Sequence, residues 1–187
     1  MDAELVVRAQ NGDRAAFTEL ATVFYGRLHR VAQNILNDIH LAEDATQQAV
    51  LEMWRNLPKL RDPERFEAWS YRILVNACRA EGRKSKRWMP ALGLPSEEDP
   101  AAVAGFAGVV YRDQLERGFR RLAIEQREVV VLHHYLSWPL PEVAAALGIP
   151  TGTAHSRLHR AMQTLRAALE ADARLPQSAA SSEEAAR

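Results

Sequence analysis

The chain is poor in several things that would have made it easier to place. Cys78 is the lone cysteine in 187 residues, so a disulfide framework and a cysteine-based metal site are both excluded. No apolar run approaches the roughly 18–20 residues that a membrane-spanning helix requires, so no membrane insertion is expected. The start of the chain (MDAELVVRAQNGD) is acidic and amphipathic, without a basic region followed by an apolar stretch; this argues against a signal peptide and for a soluble, cytoplasmic protein. Strand signals are nearly missing, because Val129, Val130 and Val131 make a short run inside a helical context. There is no Gly-rich phosphate loop, no HExxH and no nucleophile–His–acid spacing. No catalytic residue, cofactor or enzymatic activity is therefore expected. Net charge is absent too, with 24 Lys and Arg against 24 Asp and Glu. What remains is an ordinary apolar share of 47%, and a length that suits one large domain or two small ones.

The neutral total hides segregation. Residues 1–60 carry six basic and eight acidic side chains. In residues 79–87, Arg79, Arg83, Lys84, Lys86 and Arg87 stand against a single acid, Glu81. Residues 151–166 hold three arginines, two histidines and no acid, whereas Glu97, Glu98 and Asp99 lie in a stretch without a base. Two basic islands in a neutral chain point to two contacts with a polyanion; a merely solvated face is the plainer alternative.

Helical periodicity dominates. Phe17, Leu20, Phe24, Leu28, Val31 and Ile35 recur at steps of 3, 4, 4, 3 and 4, one stripe of a helix for which Asp13 is the expected N-cap. Leu41, Ala45, Ala49, Met53 and Leu57 repeat every four residues until Pro58 blocks continuation. Asp62-Pro63 then opens a third helix with Phe66, Trp69, Ile73 and Ala77 on one side. Residues 89–108, with three prolines, three glycines and no sustained period, read as a flexible linker. Periodicity resumes with Leu115, Phe119 and Leu122, and a further helix is expected from about Glu125 to Leu136. The tail, residues 172–187, is small-residue-rich and acidic, and is expected to be disordered. The expected fold is all-α, two small helical domains joined by a flexible linker, each with too little core to be very stable alone.

The C-terminal half carries a specific pattern. Pro141 opens a short helix with Val143, Ala144 and Leu147 inward, and Gly148 supplies the left-handed backbone of a sharp turn. Pro150-Thr151 opens the next helix, with Thr151 as its expected N-cap. Ala154, Leu158, Ala161 and Leu165 must face inward, which leaves Ser156, His159, Arg160 and Gln163 outward, flanked by His155 and Arg157. This is a helix-turn-helix, whose second helix enters the DNA major groove. His155 and His159 have the spacing of a metal pair but no acid or cysteine beside them, so no metal is expected.

With these residues laid out, the chain resembles extracytoplasmic-function sigma factors, the smallest class of the sigma-70 family, over about residues 3–170. GIPTGTAHSRLHRAMQTLR looks like region 4.2, EDATQQAVLEMW like region 2.2, and RFEAWSYRILVNACRAEGRKSKR like regions 2.3 and 2.4, in the family's order. The resemblance implies that residues 1–88 bind core RNA polymerase and the minus-ten strand, and that residues 109–171 read the minus-thirty-five duplex. It places Glu43, Asp44, Gln47 and Gln48 on the β′ clamp helices, with the β flap as the second polymerase contact. It places Asn76 in the minus-ten pocket, and Arg79, Arg83, Lys84, Lys86 and Arg87 on phosphates, which supply affinity and register. Trp69 reads as core, and Tyr71 as either core or pocket. His155, Ser156, Arg157, His159 and Arg160 match groove-reading positions, where an Arg can grip guanine with two bonds. His155 stands where the family usually carries a cation, so that contact is expected to be weaker or dependent on pH. By the same analogy an anti-sigma protein clamps the two domains together. Two other readings compete. A sigma-like adaptor that only sequesters an anti-sigma factor would need no arginines in its second helix. A plain helix-turn-helix regulator would leave region 2.2 and residues 79–87 without a role.

Overall fold

The computed structural model describes residues 3–92, 115 and 117–184, with side chains described for residues 3–85, 115 and 117–170. Among these residues there is no strand. The amphipathic start of the chain is a short helix, α1 (Ala3–Gln10), with Val6 and Ala9 buried. Gln10 ties it down by donating to the Leu57 and Leu60 carbonyls at 3.2 and 2.6 Å. Asp13 then caps α2 (Arg14–Leu36) by accepting from the Ala15 and Ala16 amides. The expected stripe is buried, from Leu20 through Phe24, Leu28 and Val31 to Ile35, with Phe17 half-buried at its start. Asn37, in the left-handed region at φ 55°, stops the helix, and Asp38 caps α3 (Ile39–Asn56) through the Leu41 amide. Ala42, Ala45, Ala49 and Met53 face the core. Pro58 converts the end of α3 into a 3₁₀ turn, Leu57–Lys59. Asp62 caps a second one, Pro63–Arg65, by accepting from Glu64 N, and α4 (Phe66–Leu92) follows.

In α4 the expected stripe is only half of the burial. Phe66 and Ala77 are buried, and Trp69 and Ile73 are half-buried. Tyr71, Val75 and Cys78 are buried as well, and with Gly82 they recur at steps of 4, 3 and 4, a second stripe on another side of the helix. Tyr71 is therefore core: it is 1% exposed, and burial pushes its hydroxyl up to about 12. The backbone of α4 remains helical through Leu92, four residues into the segment read as a linker, and residues 93–108 lie outside the described residues.

In the C-terminal unit, Leu115 and residues 117–120 are helical backbone, and Phe119 and Leu122 are buried. The next helix, α5 (Ile124–Val130), widens into a π turn, Val131–Tyr135. His133 Nδ1 donates to the Trp138 carbonyl at 2.7 Å across Ser137, whose φ is 58°, and so fixes the corner after that turn. The helix-turn-helix follows as expected: α6 (Leu140–Leu147), Gly148 at φ 65° and α7 (Thr151–Glu184). Amides of Gly148 and Ile149 close back on the end of α6. Thr151 is not the cap but the first helical residue. Pro150 stands at the cap position, and its carbonyl accepts the first bonds of the helix, from the Thr153 and Ala154 amides. The inward set of α7 is as expected, with Ala154, Ala161 and Leu165 buried and Leu158 half-buried. Helical backbone continues to Glu184, into residues whose composition predicted no order; alanine, the strongest helix former, is frequent there.

The two units meet along the second stripe of α4. The Tyr71 ring meets Trp138 edge-on, with centroids 5.3 Å apart. A Cβ on Gly82 would lie 3.1 Å from Ile124 Cδ1, so the absent side chain permits that approach. Arg127 reaches from α5 to the end of α2 and donates to the Ile35 and Leu36 carbonyls at 3.2 Å each, where a cation also meets the negative end of the helix.

Candidate nucleic-acid interface

Three surfaces carry the candidate residues. The first is the outer face of α7. His155, His159 and Arg160 are exposed there, beside exposed Gln163, and no acid occurs in residues 151–166. Within that stretch no carboxylate is therefore present to repel a polyanion. Ser156 and Arg157 lie a step further in. Ser156 Oγ donates to the Thr153 carbonyl at 3.0 Å. Arg157 is half-buried, and its Nη1 is sealed from solvent without a hydrogen-bond partner.

The second surface is one side of α4. Trp69, Asn76 and Arg83 are seven residues apart, two turns each, so they lie on one line of the helix; Asn76 and Arg83 are exposed. Arg72 lies beside that line, exposed, and went unremarked in the sequence because it stands outside the dense basic run. Trp69 and Arg72 line a cleft of about 620 Å³, closed on its far side by Trp138, Glu142, Ala145 and Ala146 of the C-terminal unit. The cationic run itself is divided. Lys84 pairs with Glu81 at 2.6 Å. Arg79 is half-buried and turned onto the second unit: its guanidinium makes two bonds, of 2.7 and 2.6 Å, to the Glu128 carboxylate of α5. Glu128 is fully buried. Burial pushes its carboxyl above the ordinary carboxylate range against the pull of Arg79, while the same bond raises Arg79. Lys86 and Arg87 belong to the described backbone of α4, whereas their side chains lie outside the described set.

The third surface is the outer face of α3. Glu43, Asp44 and Gln47 are exposed and Gln48 is half-buried; Gln47 donates to Glu43 and Gln48 to Glu52, each one turn away. The same face continues into Leu51, 51% exposed, and Trp54, 39% exposed. Steps of 4, 4 and 3 join positions 43, 47, 51 and 54 on one side of the helix. These two apolar residues were missed. Their signal was an off-stripe position, since neither belongs to the inward repeat of α3. Among the described residues no group of three or more His, Cys, Asp or Glu could hold a metal ion, and no helix is long and apolar enough to cross a membrane.

The packed turn at Gly148 and the acid-free helix after it define a helix-turn-helix protein, built onto a second all-helical unit. Comparison with known proteins sharpens this. The model of Sigma-70 region 2 matches residues 20–88, and that of Sigma-70 region 4 matches residues 112–165. The chain is 33% identical over 164 residues to the ECF RNA polymerase sigma factor SigM of Mycobacterium tuberculosis, covering 88% of this chain and 82% of SigM. It is 25% identical over 181 residues to the ECF sigma factor SigW of Bacillus subtilis, covering 86% of this chain and 92% of SigW. CnrH, solved in complex with the cytosolic domain of CnrY, superposes with a TM-score of 0.65 at 27% identity, over 91% of this chain and 98% of CnrH. The sigma factor RpoE of Bartonella quintana, solved with the anti-sigma factor NepR, shares the fold with a TM-score of 0.69 at 23% identity, over 83% of this chain and 98% of RpoE. The chain belongs to the sigma-70 family, in its extracytoplasmic-function class of RNA polymerase sigma factors.

Proposed function

We propose that the three surfaces divide the work of transcription initiation as follows. Glu43, Asp44, Gln47 and Gln48, extended by Leu51 and Trp54, dock on the β′ clamp helices of core RNA polymerase, and the C-terminal unit meets the β flap. Polar groups set the register of that contact, while the two apolar side chains lose water and supply affinity. Asn76 and its line on α4 hold an unstacked base of the minus-ten element. Arg79, Arg83, Lys84, Lys86 and Arg87 hold the adjoining phosphates. Taking a base from the stack costs a few kcal/mol, which stacking and polar contacts offset. His155, His159 and Arg160 read the minus-thirty-five element in the major groove, with Ser156 and Arg157 behind them. The protein has no catalytic chemistry of its own and works in the cytoplasm, where the polymerase is. An anti-sigma protein, of the kind that RpoE of Bartonella quintana binds, is the natural antagonist.

The observation that carries this reading is the exposed, acid-free face of α7 on a closed helix-turn-helix. Run-off transcription with core polymerase on a promoter library tests it. The expected result is initiation from a subset of templates sharing two motifs about one minus-ten-to-minus-thirty-five spacing apart. A chain that never co-elutes with core polymerase, or that initiates without template preference, overturns it.

A further inference from the structure

The fully buried carboxylate of Glu128 ties the C-terminal unit to the first basic island. Arg79, from α4, holds both of its oxygens. Arg157, from α7, acts on it electrostatically, and keeps a sealed Nη1 that bonds nothing. A buried carboxylate bonded by one guanidinium, with a second cation favouring its charged form, is not left as a lone buried charge when the bonded partner leaves.

We infer that Glu128 is a self-latch that holds the free chain closed by occupying Arg79, and that Arg157 is the counter-charge that keeps Glu128 satisfied once Arg79 leaves. This rests on the proposed assignment of Arg79 to DNA phosphate. A phosphate presents the same pair of oxygens to a guanidinium fork as a carboxylate does, so a DNA strand competes with Glu128 for one and the same group. The other contacts between the units support a closed resting state. Tyr71 against Trp138 and Ile124 over Gly82 fall on one side of α4, and Arg127 adds a contact with the end of α2. The closed state also lays α6 across the cleft that Trp69 and Arg72 line. In this account Arg157 is a positioning residue that acts through Glu128 and does not itself read the groove.

The test uses the full chain with spin labels on Asn11→Cys and Ala167→Cys, both exposed positions, one in each unit; Cys78 is buried and stays unlabelled. Distance distributions are measured for the parent, Glu128→Gln, Arg157→Leu and the wedge Gly82→Leu, which parts the units without touching the ion pair. Affinity for single-stranded DNA of mixed sequence is measured on the same samples at one fixed salt concentration. The parent is expected to show one short distance. Glu128→Gln and Gly82→Leu are expected to show longer, broader distances and to bind DNA about tenfold tighter, since apparent affinity scales with the open fraction. Arg157→Leu is expected to stay closed and bind DNA more weakly. Unchanged distances in both Glu128→Gln and Gly82→Leu overturn the latch, as does opening without any gain in affinity. An Arg157→Leu variant that opens overturns the role given to Arg157. A parent that initiates transcription while its variants stay closed removes the latch alone. A parent that never initiates removes the reading of function, and the distances still decide whether the latch exists.

Discussion

Arg160 offers the cleanest separation of recognition from folding. Its side chain is exposed and makes no bond to another side chain among the described residues; its carbonyl accepts from Thr164 Oγ1, a bond that truncation leaves in place. Alanine is at least as good a helix former as arginine, so Arg160→Ala is expected to change stability by no more than about 0.5 kcal/mol, the range of an ordinary surface substitution. If Arg160 grips a guanine with two bonds, its loss removes about 1–3 kcal/mol of discrimination, which corresponds to a factor of about 5 to 150. Run-off transcription over a promoter library, sequenced after selection, reads this directly: the minus-thirty-five preference should blur at one position while the minus-ten preference persists. Arg160→Lys adds a control, because a lysine keeps the charge but not the fork. Full rescue by lysine would mean a phosphate contact in place of a base contact. An Arg160→Ala variant that selects the same upstream sequence with the parent's yield would refute the assignment of this face to the groove.

Three further outcomes follow from the same geometry. Leu51→Asp places a charge on an exposed face of α3, so the thermal midpoint should hold while co-elution with core polymerase in gel filtration is lost. Leu28→Ala opens a cavity at a fully buried position of α2 and should lower the unfolding free energy by about 2–5 kcal/mol, read by denaturant melts. Asp13 is held below the ordinary carboxylate range, first by the Ala16 amide and then by Arg8. A carboxyl lowered in the folded state stabilises it above its unfolded pKa and loses that contribution as pH falls through the folded value. The parent should therefore lose stability on acidification below the ordinary carboxylate range more steeply than Asp13→Asn, whose amide oxygen still caps α2 but does not titrate; equal acid sensitivity by circular dichroism would contradict the cap's electrostatic part.

Much of this molecule is legible from local pattern. The stripe from Leu20 to Ile35, the caps at Asp13 and Asp62 and the turn at Gly148 all depend on residues within a few positions of one another, and each stands where periodicity and capping rules place it. The candidate set on the outer face of α7 was half legible. His155, His159 and Arg160 are outward because 100° per residue makes them so, yet Arg157 is half-buried with a sealed nitrogen, which helical arithmetic cannot see. The same limit hid the fate of Arg79. Its density of neighbouring charge marked it as a polyanion contact, but its partner Glu128 lies 49 residues away. The second stripe of α4 was visible in principle: Tyr71, Val75, Cys78 and Gly82 keep a helical period, and a helix with two apolar sides must be covered twice. Leu51 and Trp54 were likewise available as apolar residues standing outside the inward repeat of α3.

The chain's single sulfhydryl sits at the middle of that doubly covered helix. Cys78 has no exposed surface, and burial raises the pKa of its thiol well above the ordinary value. Since the thiolate is the form that electrophiles and peroxides attack, the folded molecule withholds its one thiol from oxidative chemistry. A thiol-based redox signal must therefore reach this factor through another protein.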